Sequence, residues 1–233
     1  MIVKSLDLKD FRNYSSLSIQ FDPSTNIIYG DNAQGKTNIL EALCICGTSR
    51  SHRGSRDNDM IRFGRDEGHI MTLIEKAGIE YQIDIHLKRG HSKGIAINRV
   101  PIRKASDLFG ILNIIFFSPD DLSIIKNGPD KRRKFIDTEL CQIDRIYLYN
   151  LTEYNKALGQ RNSLLKEIYR NKKLLDTLSV WDDKLAEFGA KIIRRRKSFI
   201  EEIAPVVSEI HHEISGAKEE VKLSYENNVS ADG

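Results

Sequence analysis

The sequence predicts an α/β lobe built around a phosphate-binding loop, followed by an α-helical lobe. Three observations carry that prediction. Apolar and polar residues alternate with period 2 through much of the first 118 residues, the mark of half-buried strands. A glycine-rich octapeptide, Gly30-Asp31-Asn32-Ala33-Gln34-Gly35-Lys36-Thr37, sits between a short apolar run and an amphipathic stretch. From about Pro119 to Ser215 the pattern turns helical, with few strand signals.

The elements follow in order. Ile2-Val3 and Leu6 to Leu8 open a strand, and Leu17, Ile19 and Phe21 alternate in a second. Asn26-Ile27-Ile28-Tyr29 is a short apolar run that stops at Gly30 and reads as a strand. Ile39, Leu40, Ala42, Leu43, Ile45 and Cys46 pattern a helix that ends near Gly47. Residues 48–68, rich in Arg, Asp, Ser and Gly, read as a loop. Three alternating strands come next, Ile70 to Glu75, Tyr81 to Leu87 and Ile95 to Ile97, with turns at Ala77-Gly78 and Arg89-Gly90. Ile111 to Phe117 is almost wholly apolar and reads as a buried strand. Ser118-Pro119-Asp120-Asp121 is a helix start, with a polar cap and Pro in the first turn. Amphipathic stretches at 130–168 and 180–214 form the helical lobe, and Val221, Leu223 and Tyr225 alternate again as a returning strand.

The octapeptide matches G-x-x-x-x-G-K-[ST], the phosphate-binding P-loop. Its glycines let the backbone curl so that successive N–H groups point inward and make an anion nest. The helix that starts near Lys36 adds the positive end of its dipole at the same point. Lys36 is placed to reach the β- and γ-phosphates, and the Thr37 hydroxyl to sit on Mg²⁺. Cleavage of a triphosphate needs more: an acidic strand end for the metal and a residue that positions water. Ile114 to Asp121 is a superficial candidate for the acidic strand, but Pro119 interrupts it before the carboxylates. On spacing alone the chain binds a nucleoside triphosphate and carries no visible parts for cleaving it.

Composition narrows the class. The chain has 233 residues, enough to bury a core without disulfides or a structural metal. It contains no run of about 18 apolar residues, and its N-terminus lacks the charged-then-apolar order of a signal peptide. Three cysteines, an odd number, fit a reducing cytoplasm. Cys44 and Cys46 are two apart on a helix and read as core residues. The net charge of +3 is unevenly spread: +1 over residues 1–125, +8 over 126–200 and −6 over 201–233. Lys131-Arg132-Arg133-Lys134 and Arg194-Arg195-Arg196-Lys197 are the densest basic runs. Two readings stand side by side for them, contact with DNA phosphates and a solvated helix surface. The Arg50, His52, Arg53 and Arg56 cluster likewise reads either as a nucleotide or DNA contact or as a solvated loop.

A family resemblance adds to this. Leu6-x-Leu8-x-x-Phe11-Arg12-Asn13-Tyr14, the P-loop continued through Asn38-Ile39-Leu40-Glu41-Ala42, and Ser49-Arg50-Ser51-His52-Arg53 resemble the RecF family of DNA recombination and repair proteins. Phe117-Ser118-Pro119-Asp120-Asp121-Leu122, Lys126-x-Gly128-Pro129 and Arg132-Arg133-Lys134-Phe135-Ile136-Asp137 resemble it too, in order and through about residue 137. The resemblance implies a P-loop NTPase fold, an ABC-type ATPase head lobe with an inserted α-helical arm lobe. The head is expected over 1–118, the arm over 119–218, and the start of a strand returning to the head over 219–233. It implies ATP and Mg²⁺ as ligands, with Arg12 and Asn13 beside the nucleotide. It also implies a dimer closed head to head on ATP, DNA binding at single-stranded or gapped double-stranded sites, and recombination mediator proteins as partners in recombinase loading, gap repair and the SOS response.

The sequence departs from the family at its end. Members run on for roughly another hundred residues that hold the signature motif and the acidic Mg²⁺ strand, so the chain reads as an N-terminal portion. Two other functions compete with the RecF-like reading. One is a P-loop small-molecule kinase, against which the long basic helical insertion and the Phe11-Arg12-Asn13-Tyr14 start both argue. The other is a non-hydrolysing fragment that binds nucleotide or DNA.

Overall fold

The computed structural model describes residues 1–126, 128–169 and 171–227. Alternating side chains build its sheet. Strand β1 (Ile2–Phe11) turns through Arg12 and Asn13 into β2 (Tyr14–Gln20). After helix α1 (Lys36–Thr48) and the single turn α2 (Asp57–Met60) come β3 (Glu67–Lys76), β4 (Ile79–Lys88), β5 (Gly94–Ile97) and the short β6 (Val100–Pro101). The six strands lie in the order β2-β1-β3-β4-β5-β6, every neighbour antiparallel.

Register lines up the apolar positions across the sheet. Leu8 lies opposite Ile70, Ile70 opposite Ile85, and Ile85 opposite Ile95. One residue pair along, Leu6 faces Thr72 and Thr72 faces Ile83. These residues are buried, and Ile39, Ala42, Ile45 and Cys46 of α1 pack in the same cluster. Thr72 is the polar member, and its hydroxyl donates to the Ser5 carbonyl at 2.7 Å, beside the bulge where β1 shifts register. Replacing Ile85 by Ala is expected to cost about 2–5 kcal/mol, because it empties volume at the centre of this row. Urea unfolding should show a lower midpoint at unchanged slope.

The β3–β4 turn has Ala77 and Gly78 at φ of 52° and 77°, the paired left-handed residues of a tight hairpin whose twist suits the strands. That turn was legible from Ala77-Gly78. The region expected as loop from 48 to 68 instead contains α2 and the start of β3.

Three expected strands are absent among the described residues, the return strand at 221–225 and two apolar runs in the first lobe. Residues 26–29 and 111–117 carry no regular secondary structure and join no strand among the described residues. A strand exists only when its N–H and C=O groups find a ladder partner. Without one, alternate side chains of these runs face outward: Ile27 is 81% exposed, Tyr29 90%, Ile115 88% and Phe117 75%. Gln142 supplies a local substitute for the missing strand. Its side chain accepts from the Ile114 N–H at 2.7 Å and donates to the Ile114 carbonyl at 3.0 Å.

The chain divides into two compact units, residues 1–143 and 144–233. The first closes with a 3-10 turn (Pro119–Leu122), α3 (Ser123–Lys126) and α4 (Pro129–Ile143). Asp121 accepts from the Ser118 N–H at 2.6 Å and from its hydroxyl at 3.1 Å, so Ser118-Pro119-Asp120-Asp121 starts a helical turn. The second unit is an antiparallel helix pair, α5 (Arg145–Ile168) and α6 (Leu178–Ser215). Asp144 caps α5 by accepting from the Tyr147 N–H at 2.9 Å. Gly216, at φ 60°, ends α6, and the Ala217 N–H reaches back to the His212 carbonyl at 2.9 Å. Residues 218–227 form neither helix nor strand, and the remainder of the expected return strand, 228–233, lies outside the described residues.

Candidate phosphate-binding site

The glycine-rich loop ends in the first turn of α1. Gly30, Ala33 and Gly35 have φ of 142°, 66° and 101°, which curls the backbone as an anion nest requires. Gly35 is the N-cap residue of α1. It carries no capping side chain, and the first turn of the helix has no acidic residue. The positive end of the helix is therefore left without a protein anion. The Lys36 ammonium folds back over the loop and donates to the Gly30 carbonyl at 2.7 Å and the Asp31 carbonyl at 2.6 Å. Thr37 is exposed beside it. Asp31, Asn32, Ala33 and Gln34 complete the loop on the exposed side.

The β1–β2 turn braces this loop. Asn13 donates from Nδ2 to the Gln34 carbonyl at 3.1 Å and accepts at Oδ1 from Asn38 Nδ2 at 2.8 Å. Gly35 packs against it so closely that a Cβ there would lie 2.6 Å from Asn13 Oδ1 and 2.8 Å from the Tyr14 hydroxyl. Positive φ and this close approach both demand glycine.

Arg12 stands next in the turn, at φ 54°. Its guanidinium grips Glu41 with two bonds, Nε to Oε2 at 2.9 Å and Nη2 to Oε1 at 2.5 Å. It also donates to the Asp59 carbonyl at 2.8 Å and the Ser55 hydroxyl at 2.6 Å. Ser51 donates to Glu41 Oε1 at 2.5 Å, and Arg53 stands 3.8 Å from Oε2. Burial alone would raise the Glu41 pKa. The hydrogen bonds from Arg12 and Ser51 and the nearby guanidinium charges outweigh it and hold the carboxyl below the usual carboxylate range. Sequence reasoning named Arg12 and Asn13 and missed Glu41, Ser51, Ser55 and Asn38. One signal for Glu41 was available: a lone carboxylate inside the apolar helix run from Ile39 to Cys46.

His52 of the arginine cluster is turned inward. Its ring stacks on Phe116 at 4.0 Å between centroids, and burial lowers its pKa. Cys44 and Cys46 are both buried, and burial raises the Cys44 thiol to about 12.

The two basic runs sit differently. Lys131, Arg132, Arg133 and Lys134 are exposed on the first turns of α4. Arg133 pairs with Asp130, and Arg132 donates to the Ile124 carbonyl at 3.2 Å. In the helix pair, Arg195 bonds Asp144 at 2.8 Å and Glu202 at 3.1 Å, and Arg196 donates to the Tyr147 hydroxyl at 3.0 Å. Arg195 and Arg196 thus tie α6 to the start of α5, while Arg194 faces solvent.

Comparison with known proteins follows the same lines. The family model described as an AAA domain matches residues 5–224. The DNA replication and repair protein RecF of Agathobacter rectalis is 58% identical over 229 residues, 98% of this chain and 63% of that protein. The protein of the same name from Lachnospira eligens is 56% identical over 227 residues, 97% of this chain and 62% of that protein. A solved structure described as the recombination mediator protein RecF-ATP in the RecFOR pathway superposes with a TM-score of 0.88 at 36% identity. It covers 92% of this chain and 58% of that one. The chain spans just under two thirds of the length of the curated relatives it matches. At that likeness the fold is the expected one, an α/β lobe of P-loop NTPase type with a helical lobe.

Proposed function

The chain belongs to the AAA domain family and, within it, to the RecF proteins, and from that premise we propose that it binds ATP for a DNA replication and repair protein. One observation carries the reading. A curled glycine-rich loop, an uncapped helix N-terminus and the Lys36 ammonium converge on one point, where a triphosphate would find backbone N–H groups and a cation together. The ammonium trades two neutral carbonyls for phosphate oxygens when nucleotide arrives. The Thr37 hydroxyl would hold Mg²⁺, which when bound would supply neutralisation of phosphate charge. Arg12 and Asn13 shape the loop from beside the nucleotide.

In this reading residues 1–118 supply the ATPase head and 119–218 the helical arm, with α4 packed in the same compact unit as the head, and 219–233 are the segment that follows the arm. The protein works in the cytoplasm, and no described helix is long and apolar enough to cross a membrane. DNA, single-stranded or gapped double-stranded, is bound through its phosphates by Lys131, Arg132, Arg133, Lys134 and Arg194. Arg195 and Arg196 contribute less, because carboxylates and a tyrosine already engage them. ATP closes two heads into a dimer, and recombination mediators join in recombinase loading, gap repair and the SOS response.

Calorimetric titration of the chain with ATP, with and without MgCl₂, tests the nucleotide part. Binding that Mg²⁺ tightens is expected, and no binding in either condition overturns it. For DNA, fluorescence anisotropy on a gapped duplex should show affinity falling steeply as salt rises. Lys131→Gln with Lys134→Gln should flatten the log–log slope by about 2, roughly one unit per lost phosphate contact. An unchanged slope removes α4 from the interface.

A further inference from the structure

We propose that Glu41 is a positioning residue for nucleotide binding, acting on the phosphate loop through Arg12 and Asn13 without touching the ligand. The proposal rests on the nucleotide-binding reading of that loop. Glu41 lies in α1 with 0% of its side chain exposed, where a lone carboxylate is unfavourable unless every oxygen is answered. Here both oxygens are answered, by Arg12 twice and by Ser51.

The chain of contact from Glu41 to the loop is continuous. Arg12 is held at four points: the two Glu41 oxygens, the Asp59 carbonyl and the Ser55 hydroxyl. Its backbone N–H is fixed as well, on the Met60 carbonyl at 2.8 Å. That grip holds Arg12 at φ 54°, a conformation a non-glycine residue rarely adopts unaided. The conformation of Arg12 sets where the turn places Asn13. Asn13 in turn braces the Gln34 carbonyl, accepts from Asn38 and fills the space over Gly35. The circuit begins and ends on α1, so the helix that presents Lys36 and Thr37 also fixes the loop in front of them. Loosening Glu41 frees the turn, and the turn frees the loop. The nest then has to be ordered at the expense of binding energy.

A double-mutant cycle on the full chain tests this, read by ATP titration calorimetry. Glu41→Gln keeps the shape of the side chain and removes its charge. It is expected to weaken ATP about tenfold in the parent chain, in the range of lost supporting contacts behind a ligand-binding group. In the Asn13→Ala background, where the relay is already cut, the same substitution should cost about twofold or less. Asn13 is exposed, so that background folds. A role confined to stability predicts equal losses in both backgrounds, and that result overturns the proposal, as does unchanged affinity in the parent. If Glu41→Gln fails to fold, Ser51→Ala takes its place in the cycle: a loss of about threefold that vanishes with Asn13→Ala supports the relay, and an unchanged or equal loss overturns it. Lys36→Ala is run alongside. ATP affinity indifferent to Lys36 would refute the phosphate-loop reading itself, an outcome distinct from any in the cycle.

Discussion

Lys36→Ala should weaken ATP binding by about 100-fold or more while leaving the fold intact. The ammonium is the one side-chain cation seated in the loop, and its two acceptors there are neutral carbonyls. Hydrogen bonds to charged groups are worth about 1.5–3 kcal/mol each, so losing two to the phosphates amounts to about 3 kcal/mol or more. The cost to the free chain is small, because Gly30 and Asp31 are exposed and water replaces the ammonium at their carbonyls. Calorimetry and thermal unfolding should therefore separate, with affinity collapsing and the melting temperature moving by no more than a few degrees. Parent-like affinity in the variant would count against the loop as the nucleotide site.

Arg12→Ala is the second large effect, and it falls on stability. It strips a fully buried carboxylate of its two strongest donors, which for a buried pair costs about 3–5 kcal/mol. Arg53 at 3.8 Å recovers part of that loss. The pH dependence has a definite sign. In the parent the folded Glu41 pKa lies below its unfolded value, so its contribution is present above the unfolded value, about 4.3, and is lost as pH falls through the folded one. In the variant burial remains without the guanidinium, so the charged form is penalised and the folded pKa rises. The gap in stability is then widest above the variant's raised pKa, narrows as pH falls through it, and closes once pH is below the parent's lowered one. Urea unfolding at a series of pH values reads this directly. A gap that does not change with pH would mean that the Glu41 charge is not the cause.

Several parts of this molecule were legible from local pattern. Leu6 and Leu8, Ile70 to Ile74, and Ile83 to Leu87 alternate, and each set lies in the strand it predicted. Gly30 to Thr37 announced a loop whose curvature depends on its own glycines and whose helix starts where Lys36 stands. Ser118 to Asp121 announced a helical turn because the cap and the capped residue are three apart. In each case the information and the structure span the same few residues.

Other parts were misread where the deciding partner is far away. Asn26 to Tyr29 and Ile111 to Phe117 have strand composition, yet a strand is a relation between two segments, and among the described residues neither run finds a second one. Arg195 and Arg196 look like free surface charge in the sequence, and their partners Asp144 and Tyr147 stand 51 and 49 residues away.

The sequence by itself determined the curled glycine-rich loop, the alternation of the strands, the longer helices and the basic stretch from 126 to 200. These follow from backbone freedom and side-chain period, which are properties of neighbours in the chain. Only the tertiary structure decided that Arg12 serves Glu41, that Asn13 wedges the loop, and that two apolar runs find no strand partner among the described residues. Burial sets the worth of a charge, and pairing makes a strand. Both depend on which distant residues fill the surrounding space.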